Sequence, residues 1–231
     1  MKNKIAVFDI DGTIFRKNLA FELINELVWL KVFKKEVRNK LVHAYTRWLD
    51  HNGTYEEYRK ELVALYAENI KGCSRDKIIE ASKIVVPFFK DRTYIFANKL
   101  IAELRKKGYH IIAVSGSPIE IVEEYNKYLK FDAAFGSVYE VDDNGIYTGE
   151  EAFAPTVHKG HVVRQYAAEN KLTLEDSYGI GDTESDAKFL EIVDNPIAFN
   201  PNLNLKKIAE ENNWRIVVEK KDVVYEINSN N

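Results

Sequence analysis

The stretch KIAVFDIDGT, Lys4 to Thr13, decides how the rest of the chain is read. Ile5 to Phe8 is an unbroken apolar run, and Asp11-Gly12 closes it, so the segment reads as a buried strand ending in a turn. Asp9 and Asp11 lie two positions apart, and an extended backbone points both to the same side. In an open parallel sheet, ligands bind outside the C-terminal ends of the strands. Two carboxylates at such an end suit a hard cation such as Mg²⁺. The competing reading is plainer: a strand that stops in an Asp-Gly turn, with Asp11 as a turn residue.

Beyond this strand the chain changes character. From about Phe15 to about Phe89 it is helical in pattern, aromatic and highly charged, with no convincing strand. Asn52-Gly53 and Lys71-Gly72 are helix stops, and Ser74 with Asp76 marks a new start. From about Asp91 helices and strands alternate. A helix from Tyr94 to Lys107 is stopped by Gly108 and followed by a strand from His110 to Val114 and a helix from Ile119 to Leu129. Ala133–Glu140 and Gly145–Thr148 read as a hairpin across Asp142-Asp143-Asn144-Gly145. A helix from His161 to Asn170, a strand from Ser177 to Ile180 and a helix from Asp186 to Ile192 come next. The strand Pro196–Phe199, the helix Leu203–Glu211 and a last strand, Arg215–Val218, complete the series. Such alternation predicts βαβ units and a parallel sheet. The expected fold is therefore α/β, a Rossmann-like core of residues 1–14 and 91–231 interrupted by an all-helical domain over 15–90. The polar tail, Ile227 to Asn231, is expected to fray.

Composition narrows the function classes. With 45% apolar and 30% charged residues among 231, the chain has ample material for a core and is not a disordered protein. Lys and Arg number 33 against 36 Asp and Glu, a net charge of −3 that gives no general attraction to nucleic acid or anionic membrane. A single Cys excludes an internal disulfide and a Cys-rich zinc site. The most apolar helical candidate, Leu19 to Phe33, is interrupted by Glu22, Asn25, Glu26 and Lys31, and the first residues carry no leader-like apolar run. The expected address is the cytoplasm.

Three further motifs stand near predicted strand ends or helix starts. Val114-Ser115-Gly116-Ser117-Pro118 offers a hydroxyl, a flexible backbone and free N–H groups for an anion, or else simply caps a helix with Ser117 and opens it with Pro118. Gly179-Ile180-Gly181-Asp182-Thr183-Glu184-Ser185-Asp186 supplies two more carboxylates, Asp182 and Asp186, on one face of a starting helix; the alternative is capping by Asp182, with acids favoured in a first turn. Lys159, in His158-Lys159-Gly160-His161 ahead of a helix, can meet a phosphate as a point charge or sit solvated at the surface. His158 and His161 as a metal pair lack a matching third ligand.

Taken together, in this order, these motifs resemble the haloacid-dehalogenase-like (HAD) superfamily of aspartate-nucleophile phosphotransferases. The family pattern of DxDGT, a Ser or Thr after the second strand, a Lys and GDxxxD is matched by Asp9–Thr13, Ser115, Lys159 and Gly181–Asp186. The interval from Lys159 to Asp182 and the ending PIAFNPNLNLKKIAEENNW, Pro196 to Trp214, are similar to the phosphoserine-phosphatase-like branch, HAD-IB, and the helical block resembles its C1-type cap. The resemblance implies a Mg²⁺-dependent phosphatase acting on a small phosphomonoester through an aspartyl-phosphate, with no nucleic-acid or membrane partner. Asp9 is then the nucleophile and Asp11 the acid and base. Ser115, Gly116 and Lys159 hold the phosphoryl group. Asp9, the Asp11 carbonyl and Asp182 hold the metal, with Asp186 acting through water. A phosphotransferase or mutase on the same scaffold, or a non-catalytic phospho-accepting signalling module, are the alternatives.

The helical block departs from the phosphoserine-specific pattern. Asn18 stands where that pattern has a Glu for the substrate ammonium, and Arg59 is the sole Arg in YEEYRKELVAL, Tyr55 to Leu65. Trp29, Phe33, Tyr45, Trp48, Tyr55 and Tyr58 are expected mostly to pack within the block, with one or two at a substrate mouth. His43, Arg47 and His51 share a predicted helix face, which is either solvated or meets an acidic substrate.

Overall fold

Strand β1 (Lys4–Phe8) sits in mid-sheet because both of its faces are apolar. In the computed structural model, which describes residues 3–227, Ile5 and Val7 enter one core while Ala6 and Phe8 enter another on the opposite face. That two-sided burial is what a central parallel strand requires. Parallel partners flank it: β2 (His110–Pro118), with Phe8 opposite Ala113, and β5 (Thr173–Gly181), with Phe8 opposite Ile180. Beyond β2 lie β3 (Ala133–Val141) and β4 (Tyr147–Phe153), and beyond β5 lie β6 (Asn195–Phe199), β7 (Arg215–Lys220) and β8 (Val223–Ile227). Among the described residues the sheet has eight strands in the order β4-β3-β2-β1-β5-β6-β7-β8, and only its two edge pairings are antiparallel.

Among the described residues five helices separate β1 from β2, and the first four form the inserted block: α1 (Leu19–Trp29), α2 (Lys35–Leu49), α3 (Tyr55–Ile70) and α4 (Arg75–Phe89). Their starts are written locally. Asn18 Oδ1 accepts from the Phe21 N–H to cap α1, and Thr54 with Glu57 forms a reciprocal capping box on α3. Leu23, Leu27, Leu41, Leu62, Tyr66 and Ile78 bury into one apolar cluster that continues to Phe8 and Ile111 on the sheet. α5 (Ile95–Lys106), α6 (Ile119–Leu129), α7 (Pro155–Glu169), α8 (Ala187–Leu190) and α9 (Leu203–Glu211) connect the strands. No helix among the described residues is long and apolar enough to cross a membrane.

Several elements depart from the sequence expectation. α7 begins at Pro155, so Lys159 lies within it and not ahead of it; Pro155 occupies the first helical turn, and His158, at φ −128°, bends the helix where a continuous pattern is broken. α2 ends at Leu49, and His51 occupies a left-handed turn at φ 58°, off the face shared by His43 and Arg47. β8 was not foreseen: every residue in it is exposed, so it has no buried face to leave a period-two signal. Trp29 is 82% exposed and packs in no core. The polar tail lies outside the described residues after Ile227.

Candidate active site

β1 and β5 bring their C-terminal ends together, and the Asp9 N–H donates to the Ile180 carbonyl at 2.9 Å. This pairing carries Asp9 toward the Gly181–Asp186 turn. Oxygens of Asp9, Asp182 and Asp186 then lie within 4.8 Å of one another, all three side chains buried. Gly12, at φ +86°, is what lets the turn after β1 close on this group: a Cβ there would fall 2.0 Å from Asp182 Oδ2.

Lys159 reaches the same place from α7. Its ammonium donates to Asp9 Oδ1 at 2.7 Å and to Asp186 Oδ1 at 2.5 Å, and its side chain is 2% exposed. Gly160 makes this approach possible, because a Cβ there would stand 2.3 Å from the Lys188 carbonyl oxygen of α8. The second oxygen of Asp186 is already committed: it accepts from the N–H groups of Asp182 and Thr183 and from the Thr183 hydroxyl, at 2.9–3.1 Å. Asp186 thus ties the turn to Lys159. Asp182 does not cap a helix; α8 starts only at Ala187.

Three carboxyls around one ammonium leave an excess of buried negative charge. Burial pushes Asp9 up to about 8 against the pull of Lys159, and burial together with Asp9 and Asp186 raises Asp182 well above the usual carboxylate range. Burial works against the Lys159 charge too, but Asp186 and Asp9 outweigh it and hold the ammonium above its ordinary value. Asp9 Oδ2 is buried without a hydrogen-bond partner. Three clustered carboxyls, one of them with an orphaned oxygen, are the donor set of a hard divalent cation. The residues therefore fit such an ion, and His158 and His161 contribute nothing to the group.

Asp11 points elsewhere. Its Oδ1 accepts from the Leu19 N–H at the start of α1 at 2.6 Å, and its Oδ2 accepts from the hydroxyls of Ser115 and Ser117 at 2.8 and 2.7 Å. Burial raises this carboxyl, against the three hydrogen bonds. Only its backbone remains for a cation. Ser117 does not cap α6; its hydroxyl also accepts from the Ala20 N–H at 3.2 Å, while Ser115 Oγ accepts from the Ser117 N–H. Gly116 lies against Thr156, whose methyl would stand 2.6 Å from a Cβ.

A cavity of about 740 Å³ opens beside Gly12 and Asp182. Tyr45, Trp48, Tyr55 and Tyr58 all line it, more of the aromatic set than the one or two expected, and Phe21 and Glu22 of α1 join them with its cap residue Asn18. Arg59 does not face it as a free charge: it makes a two-pronged pair with Glu56 at 2.8 Å. Sequence reasoning passed over Ser117 and the turn after β6, where the Asn202 N–H holds the Asp182 carbonyl at 2.8 Å. Ser117 looked like a cap because Pro follows it. The β6 turn carried a usable signal, since it too follows a parallel strand.

A model of the haloacid dehalogenase-like hydrolase family matches residues 6–191. The chain belongs to this family of hydrolases. The phosphoserine phosphatase of Methanocaldococcus jannaschii is 27% identical over 96% of this chain and 95% of its own. The inhibition of morphological differentiation protein of Streptomyces azureus is 27% identical over 92% of this chain and 77% of its own. A solved phospho-aspartyl intermediate analogue of phosphoserine phosphatase superposes with a TM-score of 0.66 at 24% identity, over 96% of each chain, and so shares the fold. These relatives put this hydrolase in the phosphoserine-phosphatase-like branch that its motifs resemble.

Proposed function

We propose that this hydrolase is a Mg²⁺-dependent phosphatase that cleaves a small phosphomonoester through an aspartyl-phosphate on Asp9, with residues 15–90 acting as a cap over a core of 1–14 and 91–231. The observation that carries this reading is the buried group of Asp9, Asp182, Asp186 and Lys159, with one Asp9 oxygen unpartnered. Asp9, Asp182 and the Asp11 backbone carbonyl would hold Mg²⁺, with Asp186 supporting them through the turn and through Lys159. A bound divalent cation offsets the repulsion between carboxylate and phosphate dianion.

In the first step an Asp9 oxygen forms a bond to phosphorus as the ester P–O bond breaks, and Asp11 gives a proton to the departing alkoxide. In the second step Asp11 takes a proton from water, the water oxygen bonds to phosphorus, and the Asp9–phosphorus bond breaks to give inorganic phosphate. Lys159 favours the ionised form of Asp9, which a bound divalent cation would complete, and meets the equatorial phosphoryl oxygens as charge builds on them. The resting contacts of Asp11 supply a switch. When a phosphoryl group draws the Ser115 hydroxyl toward itself, Asp11 loses one of its three donors and is freed toward the leaving oxygen. The raised pKa of Asp11 suits a residue that must carry a proton for part of the cycle.

The test is phosphate release from p-nitrophenyl phosphate with Mg²⁺, comparing the wild type with Asp9→Asn. An amide forms no acyl phosphate, so the variant should fall below about a thousandth of wild-type kcat. A folded Asp9→Asn protein that keeps several per cent of the rate refutes the covalent route.

A further inference from the structure

We propose that the cavity beside Asp182 selects esters whose alcohol half is an uncharged planar ring, which stacks on a continuous aromatic wall; this rests on the phosphatase reading above. Phe21 from α1, Tyr45 and Trp48 from α2 and Tyr55 and Tyr58 from α3 form that wall. Their rings touch in sequence: Phe21–Tyr45 at 5.5 Å, Tyr45–Tyr58 at 5.3 Å, and Trp48–Tyr55 at 5.1 Å between centroids. Trp48 and Tyr58 lie nearly parallel, 12° apart at 5.8 Å. The other three pairs are tilted or edge to face, 56–67° between planes, and the rings form one contiguous cluster along the cavity.

Apart from Asp182 and His51, the charged groups that line the cavity are already spoken for. Lys17 pairs with Glu22 at 2.6 Å. Arg16 donates to the Lys221 carbonyl at 2.7 Å, stands 3.5 Å from Glu219 and lies over the Tyr94 ring. Asn18 spends its side-chain oxygen on the α1 cap. A substrate carboxylate or ammonium entering here would lose hydration while Lys17, Glu22 and Arg16 stay held by other partners, which is costly. A flat apolar group loses little hydration and gains the aromatic surface. At about 740 Å³ the cavity has room for a ring, where a two-carbon alcohol would leave it mostly filled with water.

The experiment measures kcat/KM for 2-phenylethyl phosphate and ethyl phosphate, whose alcohols have similar acidity, with O-phosphoserine and phosphocholine alongside. The wild type should favour 2-phenylethyl over ethyl phosphate at least about tenfold and rank both charged esters below 2-phenylethyl phosphate. Trp48→Ala should shrink that ratio severalfold. Trp29→Ala, whose ring lies in solvent away from the wall, should leave it unchanged. Wild-type rates that do not distinguish phenylethyl from ethyl, or that favour phosphoserine or phosphocholine, overturn the ring pocket while leaving the phosphatase reading intact. If no ester turns over, the phosphatase reading fails instead, and calorimetric binding of 2-phenylethylphosphonate against ethylphosphonate with Mg²⁺ decides the pocket. Equal affinities would overturn it; the same tenfold preference would uphold it.

Discussion

Asp182 and Glu184 sit two residues apart in one turn, yet their surroundings give them different work. Asp182 shares its buried site with Asp9 and Asp186, whereas Glu184 takes a hydrogen bond from the Asn202 side chain and lies near Arg59. Asp182→Ala should weaken Mg²⁺ binding about tenfold or more, and Glu184→Ala should change it little. Calorimetric titration of both variants checks this, and equal affinities would remove Asp182 from the site. The raised carboxyls have a pH consequence of their own. A carboxyl whose folded pKa lies above its unfolded value disfavours the fold increasingly as pH climbs from near 4 toward about 8, the range set by Asp9. A cation that takes the place of those protons relieves that penalty, so Mg²⁺ should raise the melting temperature more at pH 8 than at pH 6. An increment that is equal at both pH values, or larger at pH 6, contradicts the assignment. At this scale the acids were readable because each ends a strand, and Lys159 was readable only through the company of the other motifs. The two hydroxyl hydrogen bonds to Asp11 were not, since they join residues about a hundred positions apart whose proximity only the folded sheet creates.

Among the elements, α7 shows how a local misreading alters the chemistry. With His158 taken as loop, Lys159 is a side chain on a flexible approach. As a member of a helix opened by Pro155, it is held rigidly against Asp9 and Asp186, and Gly160 sets how closely that helix meets α8. Gly160→Ala should therefore cost about 1–3 kcal/mol of stability and lower kcat as well, because relief of the clash with the Lys188 carbonyl moves Lys159. Urea unfolding and steady-state rates together test this; a variant with wild-type stability and rate would show that the helix contact is slack. Strands β1 and β6 were legible as apolar runs of strand length bounded by turn residues, β3 by the turn that follows it, and helices α6 and α9 by their helical spacing. β8 was hidden by its exposure, and the start of α7 by a kink that breaks the helical pattern.

For the whole molecule, the parallel direction of the core strands follows from a single sequence fact: helices separate the successive parallel strands, so the ends that carry Asp9, Ser115 and Asp182 fall on one side of the sheet. The four helices after β1 then add a wall that the core lacks, and their apolar cluster runs unbroken into the sheet face. Which residues of that wall face the cavity was not legible. Tyr45, Trp48, Tyr55 and Tyr58 have the spacing of packing residues, and only the folded pairing of α2 with α3 brings them together along the cavity beside Asp182. The central claim, that Asp9 carries the phosphoryl group, is tested most directly by trapping it. In Asp11→Asn the water of the second step is not activated, so an aspartyl-phosphate should accumulate from p-nitrophenyl phosphate with Mg²⁺. Acid quenching, borohydride reduction and peptide mass spectrometry should then find homoserine at position 9. An Asp11→Asn protein that releases a stoichiometric burst of p-nitrophenol and yields no homoserine at that position, or yields it at another carboxylate, would contradict the account.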